Sequence, residues 1–261
     1  MGTEGGVCQW SIPPAGDMEG RNNHCTQATQ GKPAITNTYT TIETSQRYPC
    51  NYAVAGPATG CRVRFSELST MEVDLQSSGC PVSTGWSAGP WASLYAFEDG
   101  QWSPHLELDL METNRGGTPG AYSTDNINTN WAGSLLEAQK TWYEQGGGRT
   151  VPLQQSKPWG QHVSARFEGA GKGGVRVAVR HCDYPVAPFS GNLPPASCFQ
   201  DQEATDCSRS DTACKTFPAF SPDAYVKFVL DIWNGGPTHS CNLTSSPIYY
   251  TTISKGSSES R

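Results

Sequence analysis

The sequence predicts an all-β fold: a β-jelly-roll sandwich of two antiparallel sheets with a concave cleft and disulfide-stapled loops. Three observations carry this. Charged residues make up only 16% of the 261-residue chain, against Gly 28 and Pro 19, a balance that favours strands and long loops over helices. Short segments with period-two alternation recur along the chain. The ten cysteines are even in number and none stands in C-x-x-C spacing, which favours disulfides in an oxidising, extracellular setting over zinc-ribbon metal sites.

The same composition bounds partners and location. The net charge is −6 and there is no Lys/Arg run, so no nucleic acid is expected as partner. No apolar run approaches the roughly 18 residues of a membrane span, so none is expected to cross one. The segment Met1-Gly2-Thr3-Glu4 lacks the basic and apolar parts of a leader; if the protein is exported, its signal has been cut away. The absence of internal repeats predicts one domain over 7–254, expected to act as a monomer, with 255–261 a polar, disordered tail.

Taken in order, residues 1–35 read as loop-rich and stapled through Cys8 and Cys25. Ala34 to Thr44 is Thr-rich and fits an edge strand. Residues 45–60 are turn-forming, with Cys50 and Cys61 near their ends. Arg62 to Phe65 alternates as a strand, and so does Met71 to Leu75, with Glu72 and Asp74 on a wet face. Trp91 to Phe97 is apolar enough for a strand buried on most sides, and Glu98-Asp99-Gly100 is a turn. Asn114 to Gly133 reads as a long polar loop holding Tyr122 and Trp131. Ser134-Leu-Leu-Glu137 has capping-box spacing and Gly146-Gly147-Gly148 ends the pattern, which predicts a helix over 135–145. Gln161 to Phe167 and Val175 to Val179 read as two strands joined by a Gly-rich turn. Cys182 to Cys214 is a Pro/Ser/Asp-rich insertion that needs staples to sit in a compact domain. Tyr225 to Trp233 and Ile248 to Ile253 close the chain as strands. About eight to ten strands result, enough for two packed sheets. Asn242-Leu243-Thr244 is an N-glycosylation sequon, a tripeptide common by chance.

The chemistry concentrates in His105-Leu106-Glu107-Leu108-Asp109-Leu110-Met111-Glu112. Three leucines alternate with polar residues, and Leu106, Leu108 and Leu110 cannot share one helical face, so a half-buried strand is predicted. Strict alternation sends Glu112 into the core, where an unpaired carboxylate is costly. A one-residue bulge after Asp109 returns it to the face of Glu107 and Asp109. Two glutamates four ladder steps apart have Cα atoms roughly 13 Å apart, and side chains leaning together bring their carboxyls to about 5–5.5 Å, the spacing of a retaining glycosidase. Trp86, Trp91, Tyr95 and Trp131 are candidates for stacking on sugar rings, and His105 stands beside the acids.

Glu107-Leu108-Asp109-Leu110-Met111-Glu112 matches the E-x-D-x-x-E motif at every fixed position, and here the chain resembles family 16 glycoside hydrolases, the laminarinase-like β-glucanases. Gly89 to Tyr95 resembles the family's W-P-A-x-W strand, with Ala92 and Tyr95 departing from it. Tyr225 to Gly236 resembles its late strand ending in Gly-Gly. The resemblance implies a concanavalin-type jelly roll, Glu107 as nucleophile, Glu112 as general acid/base and Asp109 as the helper between them. It implies a polysaccharide substrate and no catalytic cofactor, and it admits a structural calcium ion that nothing in the sequence locates. Family 7 cellulases share the motif and are also rich in disulfides. A non-catalytic carbohydrate-recognition protein on the same fold is the alternative from another class.

Overall fold

The computed structural model describes residues 3–14, 30–45, 47–78, 91–98, 106–116, 124–135, 140–145, 151–153, 159–169, 174–183, 186, 189, 198–199, 212–217, 225–233 and 241–253. The strands are β1 Thr3–Cys8, β2 Ala34–Ile35, β3 Thr40–Thr44, β4 Cys50–Ala55, β5 Leu68–Ser78, β6 Trp91–Glu98, β7 Leu106–Gly116 and β8 Thr124–Leu135. They continue as β9 Lys140–Gln145, β10 Val151–Leu153, β11 Trp159–Gly169, β12 Val175–Asp183, β13 Thr212–Phe217, β14 Val226–Trp233, β15 Cys241–Ser245 and β16 Ile248–Ile253.

Two antiparallel sheets face each other. One, the outer sheet, runs β13-β12-β11-β5-β15-β3-β2, with β16 joining β5 to β1. The other, the acid sheet, runs β10-β8-β7-β6-β14-β4, with β9 on β8. Alternation decides what lies between them. Met71, Val73 and Leu75 of β5, Val163, Ala165 and Phe167 of β11, and Val177 and Val179 of β12 point inward and are buried. They meet Leu108, Leu110 and Met111 of β7 and Phe228, Leu230 and Ile232 of β14 in one core. Each of these Val, Leu, Ile, Phe and Met side chains contributes roughly 1.5–3 kcal/mol by leaving water. Trp10 pegs the N-terminal segment to this core. Its indole Nε1 donates to the Ser246 carbonyl at 2.8 Å and to Ser245 Oγ at 3.0 Å.

The structure corrects several expectations. The loop expected over 114–133 and the helix expected over 135–145 give way to β8 and β9, paired through Gly133 and Trp142. Local helix propensity and a capping-box spacing lose to the ladder that β7 offers β8, since propensity is a weak prior beside tertiary pairing. Arg62 to Phe65 is not a strand; its one bridge joins Arg64 to Tyr225. Residues 50–55, read as part of a turn region, form the fully buried β4. The N-terminal segment pairs as β1, with Thr3 opposite Ile253 of β16. Cys8 and Cys61 form a disulfide, as do Cys182 and Cys198; Cys50 and Cys214 are disulfide-bonded too.

Cys198 and Phe199, within the insertion after Cys182, pack on the outside of the outer sheet. Phe199, 5% exposed, lies between the guanidinium groups of Arg166 and Arg180, whose carbons are 4.6 and 5.0 Å from its ring centroid. The Cys198 amide donates to Ser164 Oγ at 3.0 Å, and Arg180 Nη1 donates to the Cys198 carbonyl at 3.0 Å. The insertion ends in β13, which pairs with β12. The face read as wet at Glu72 and Asp74 is therefore partly closed: Asp74 is buried and its carboxylate pairs with His162 Nδ1.

Candidate active site

β7 forms because Leu108, Leu110 and Met111 find the core, each 0% exposed. Its register with both neighbours breaks at one point. Against β6, Asp109 pairs with Tyr95 and Met111 with Leu94, so two steps on β7 match one on β6. Against β8, Asp109 pairs with Asn130 and Glu112 with Asn128, so three steps match two. Leu110 is the extra residue against β6, and against β8 Leu110 and Met111 together face the single position Thr129, a one-residue bulge between Asp109 and Glu112. The carbonyl of Leu110 lies 2.6 Å from Nε2 of His181 on the opposite sheet.

The bulge sets the phase of the acids. Glu107 pairs with Phe97 and Glu112 with Ser93, so the two glutamates are four β6 steps apart, a span of roughly 13 Å at about 3.3 Å per residue. On β8 the matching positions are Ala132, Asn130 and Asn128. Glu107, Asp109 and Glu112 thus occupy one phase, opposite to that of buried Leu108 and Met111.

Following the ladders outward gives the rows of this face. Asn128, Glu112, Ser93, Asp231 and Tyr52 form one row; Asn130, Asp109, Tyr95, Val229 and Val54 form the next. Glu107 shares its row with Phe97 and Lys227, and Trp91 pairs with Trp233 at the far end. Towards β4 the face is closed by an apolar cluster of Tyr52, Val54 and Val229, beside which Asp231 is 7% exposed. Ser11 seals the free edge of β4, exchanging backbone hydrogen bonds with Val54 at 2.8 and 3.0 Å.

The expected site residues divide accordingly. Register brings Glu107, Asp109 and Glu112 together with Tyr95, and puts Trp91 on the same face two positions beyond Ser93. Trp131 of β8 pairs in register with Leu108. Trp86 and His105 lie outside the described residues. The sequence reading missed Asn126, Asn128 and Asn130, which alternate along β8 beside the acids, and Asp231 in the row of Glu112. The signal was there as Asn-x-Asn-x-Asn, but asparagine is depleted in strands and reads as loop.

Where β14 begins, on the Glu107 side, Tyr225 stands between Arg62 and Arg64, at 4.9 and 5.6 Å from ring centroid to guanidinium carbon. Hydrogen bonds from Arg62 and then Arg64, with the Arg64 charge, hold its phenol below the usual tyrosine value. Arg64 also pairs with Glu67 at 3.5 Å.

No protein-family model matches this chain, and no curated protein matches it by sequence. Its fold does match solved structures. One is the family 16 glycoside hydrolase of the Bacteroides ovatus mixed linkage glucan locus, in complex with G4G4G3G product: 11% identity over 92% of this chain and 93% of that one, TM-score 0.51. Another is β-agarase A in complex with oligoagarose: 6% identity over 94% of this chain and 84% of that one, TM-score 0.50. The fold is the jelly roll of family 16 glycoside hydrolases. At these identities the likeness is one of architecture.

Proposed function

We propose that this chain is a secreted, retaining endo-glycoside hydrolase that cleaves a β-1,3- or mixed-linkage glucan, or a related polysaccharide, through a glycosyl-enzyme intermediate. One observation carries the reading: the bulge at Leu110 puts Glu107, Asp109 and Glu112 in a single phase of one strand. Glu107 attacks the anomeric carbon as a carboxylate. Glu112 protonates the leaving oxygen and then takes a proton from the incoming water. Like charges crowded on one strand raise the proton affinity of one member, which suits the acid role. Asp109, between them, steadies the nucleophile. In this reading Asn128 and Asn130 of β8, and Trp91 and Tyr95 of β6, are assigned as polar and stacking partners of the sugar rings, from their register beside the acids. The glucan product bound to the Bacteroides enzyme and the oligoagarose bound to the agarase support a glycan ligand for this architecture. The disulfides support an extracellular site of action.

Incubation with laminarin, lichenan, xyloglucan, carrageenan and agar tests this by the appearance of new reducing ends. Activity is expected on at least one polymer, and Glu107→Gln is expected to lower kcat at least about a thousandfold with the fold intact. A Glu107→Gln protein working at the wild-type rate sinks the assignment. Binding without turnover across the panel converts the reading to a carbohydrate-recognition protein.

A further inference from the structure

His181 is on β12, in the outer sheet, and shares the inward phase of Val177 and Val179. At 2% exposure it is a histidine in a row of core valines. Its Nε2 lies 2.6 Å from the backbone carbonyl of Leu110, across the sandwich. Leu110 has no counterpart in the β6 ladder or the β8 ladder. A carbonyl pushed out of register inside a core loses hydrogen-bond energy unless another donor reaches it. A carbonyl only accepts, so Nε2 carries the proton in this bond.

We propose that His181 is a positioning residue that pins the bulge of the acidic strand, and thereby fixes the step between Asp109 and Glu112. Side-chain period is two, so a bulge that moves by one residue turns the residues it passes to the opposite face. The Leu110 carbonyl lies within the step between Asp109 and Glu112, where one extra residue leaves Glu107, Asp109 and Glu112 all in phase. Tying that carbonyl to the far sheet couples the acids to the packing of the sandwich. The effect on turnover rests on the hydrolase reading above. The pinning itself does not.

The test compares His181→Leu, which removes the donor, with His181→Gln, whose amide nitrogen reaches to a similar distance. Amide hydrogen exchange at Met111 and Glu112 is expected to quicken at least about tenfold in His181→Leu, with β5 and β11 amides unchanged, and to stay within about threefold of wild type in His181→Gln. On the polymer that the wild type hydrolyses, His181→Leu is expected to lower kcat about tenfold or more with KM nearly unchanged, and His181→Gln to recover most of it. Unchanged exchange at Met111 and Glu112 in a folded His181→Leu protein overturns the proposal. So does a uniform rise across both sheets that His181→Gln fails to reverse. Should His181→Leu not fold, nitrogen NMR of the wild-type imidazole decides: a proton on Nε2 supports the bond, and a bare Nε2 overturns it. A wild type inactive on every polymer removes the hydrolase reading, while the exchange pattern still judges the pin.

Discussion

His162 and Asp74 stand directly opposite each other on β11 and β5, with imidazole Nδ1 against carboxylate Oδ1, on the side of the outer sheet that faces away from the core. Their side chains are 13% and 10% exposed, which puts the pair in a partly desolvated setting. Removing one partner strands the other where water reaches it poorly. Asp74→Ala is expected to cost about 1–3 kcal/mol, read from denaturant unfolding. A double-mutant cycle with His162→Ala should return a coupling above about 0.5 kcal/mol. Additive losses would mean that the two groups are merely adjacent.

Two tyrosines are expected to pull stability in opposite directions at alkaline pH. Arg62 and Arg64 hold the Tyr225 phenol below its usual 10.0, so the folded state releases that proton before the unfolded chain does. Its contribution is absent at low pH, grows as pH rises through the lowered value, and is complete above 10.0. Burial, and then the Asp74 charge, hold Tyr249 above 10.0, so its contribution is complete below 10.0 and fades as pH rises towards the raised value. Between neutrality and pH 10.0 the wild type should therefore gain on Tyr225→Phe, and above 10.0 it should lose on Tyr249→Phe. Ultraviolet titration of tyrosinate in the two variants checks the order of ionisation. If Tyr225 ionises after Tyr249, this account fails.

Phe199 ties the insertion to the outer sheet through one ring and two guanidinium groups. Phe199→Ala removes an apolar body that is 5% exposed and should cost about 3–5 kcal/mol. Phe199→Leu keeps the bulk and loses the cation–π contacts, so it should cost about 1–2 kcal/mol from the two arginines. Equal losses for the two variants would show that ring chemistry contributes nothing there.

Much of the acid strand was legible in the sequence because alternation is a local signal. Leu108 and Leu110 announce a core face, and the cost of burying Glu112 calls for a bulge after Asp109, where the ladders place it. The strands at Trp91, Val175 and Val226 were legible for the same reason. Residues 135–145 were not. Their local chemistry favours a helix, and only the free edge of β7, distant in sequence for β9 and reached through β8, makes strands of them. Asp74 misled for a related reason: period two shows that it points away from the core, but nothing near it in sequence says that Cys198 and Phe199 return to that sheet. The role of His181 depends on a contact between sheets, 71 residues away along the chain. No local pattern carries that information.

Among the described residues β1 pairs only with β16, and its first residue Thr3 lies beside Ile253, the last residue of its partner. Tension applied through the two flanking segments therefore opens this ribbon like a zipper, loading one hydrogen-bonded pair at a time instead of all together. The tear runs from Thr3 to Cys8 and stops there, because the Cys8–Cys61 bond carries the load past the core. Optical-tweezers traces should show a short, low-force extension followed by arrest, and a reducing agent should let the extension run on. A trace with no early extension would mean that the edge resists peeling by some other means.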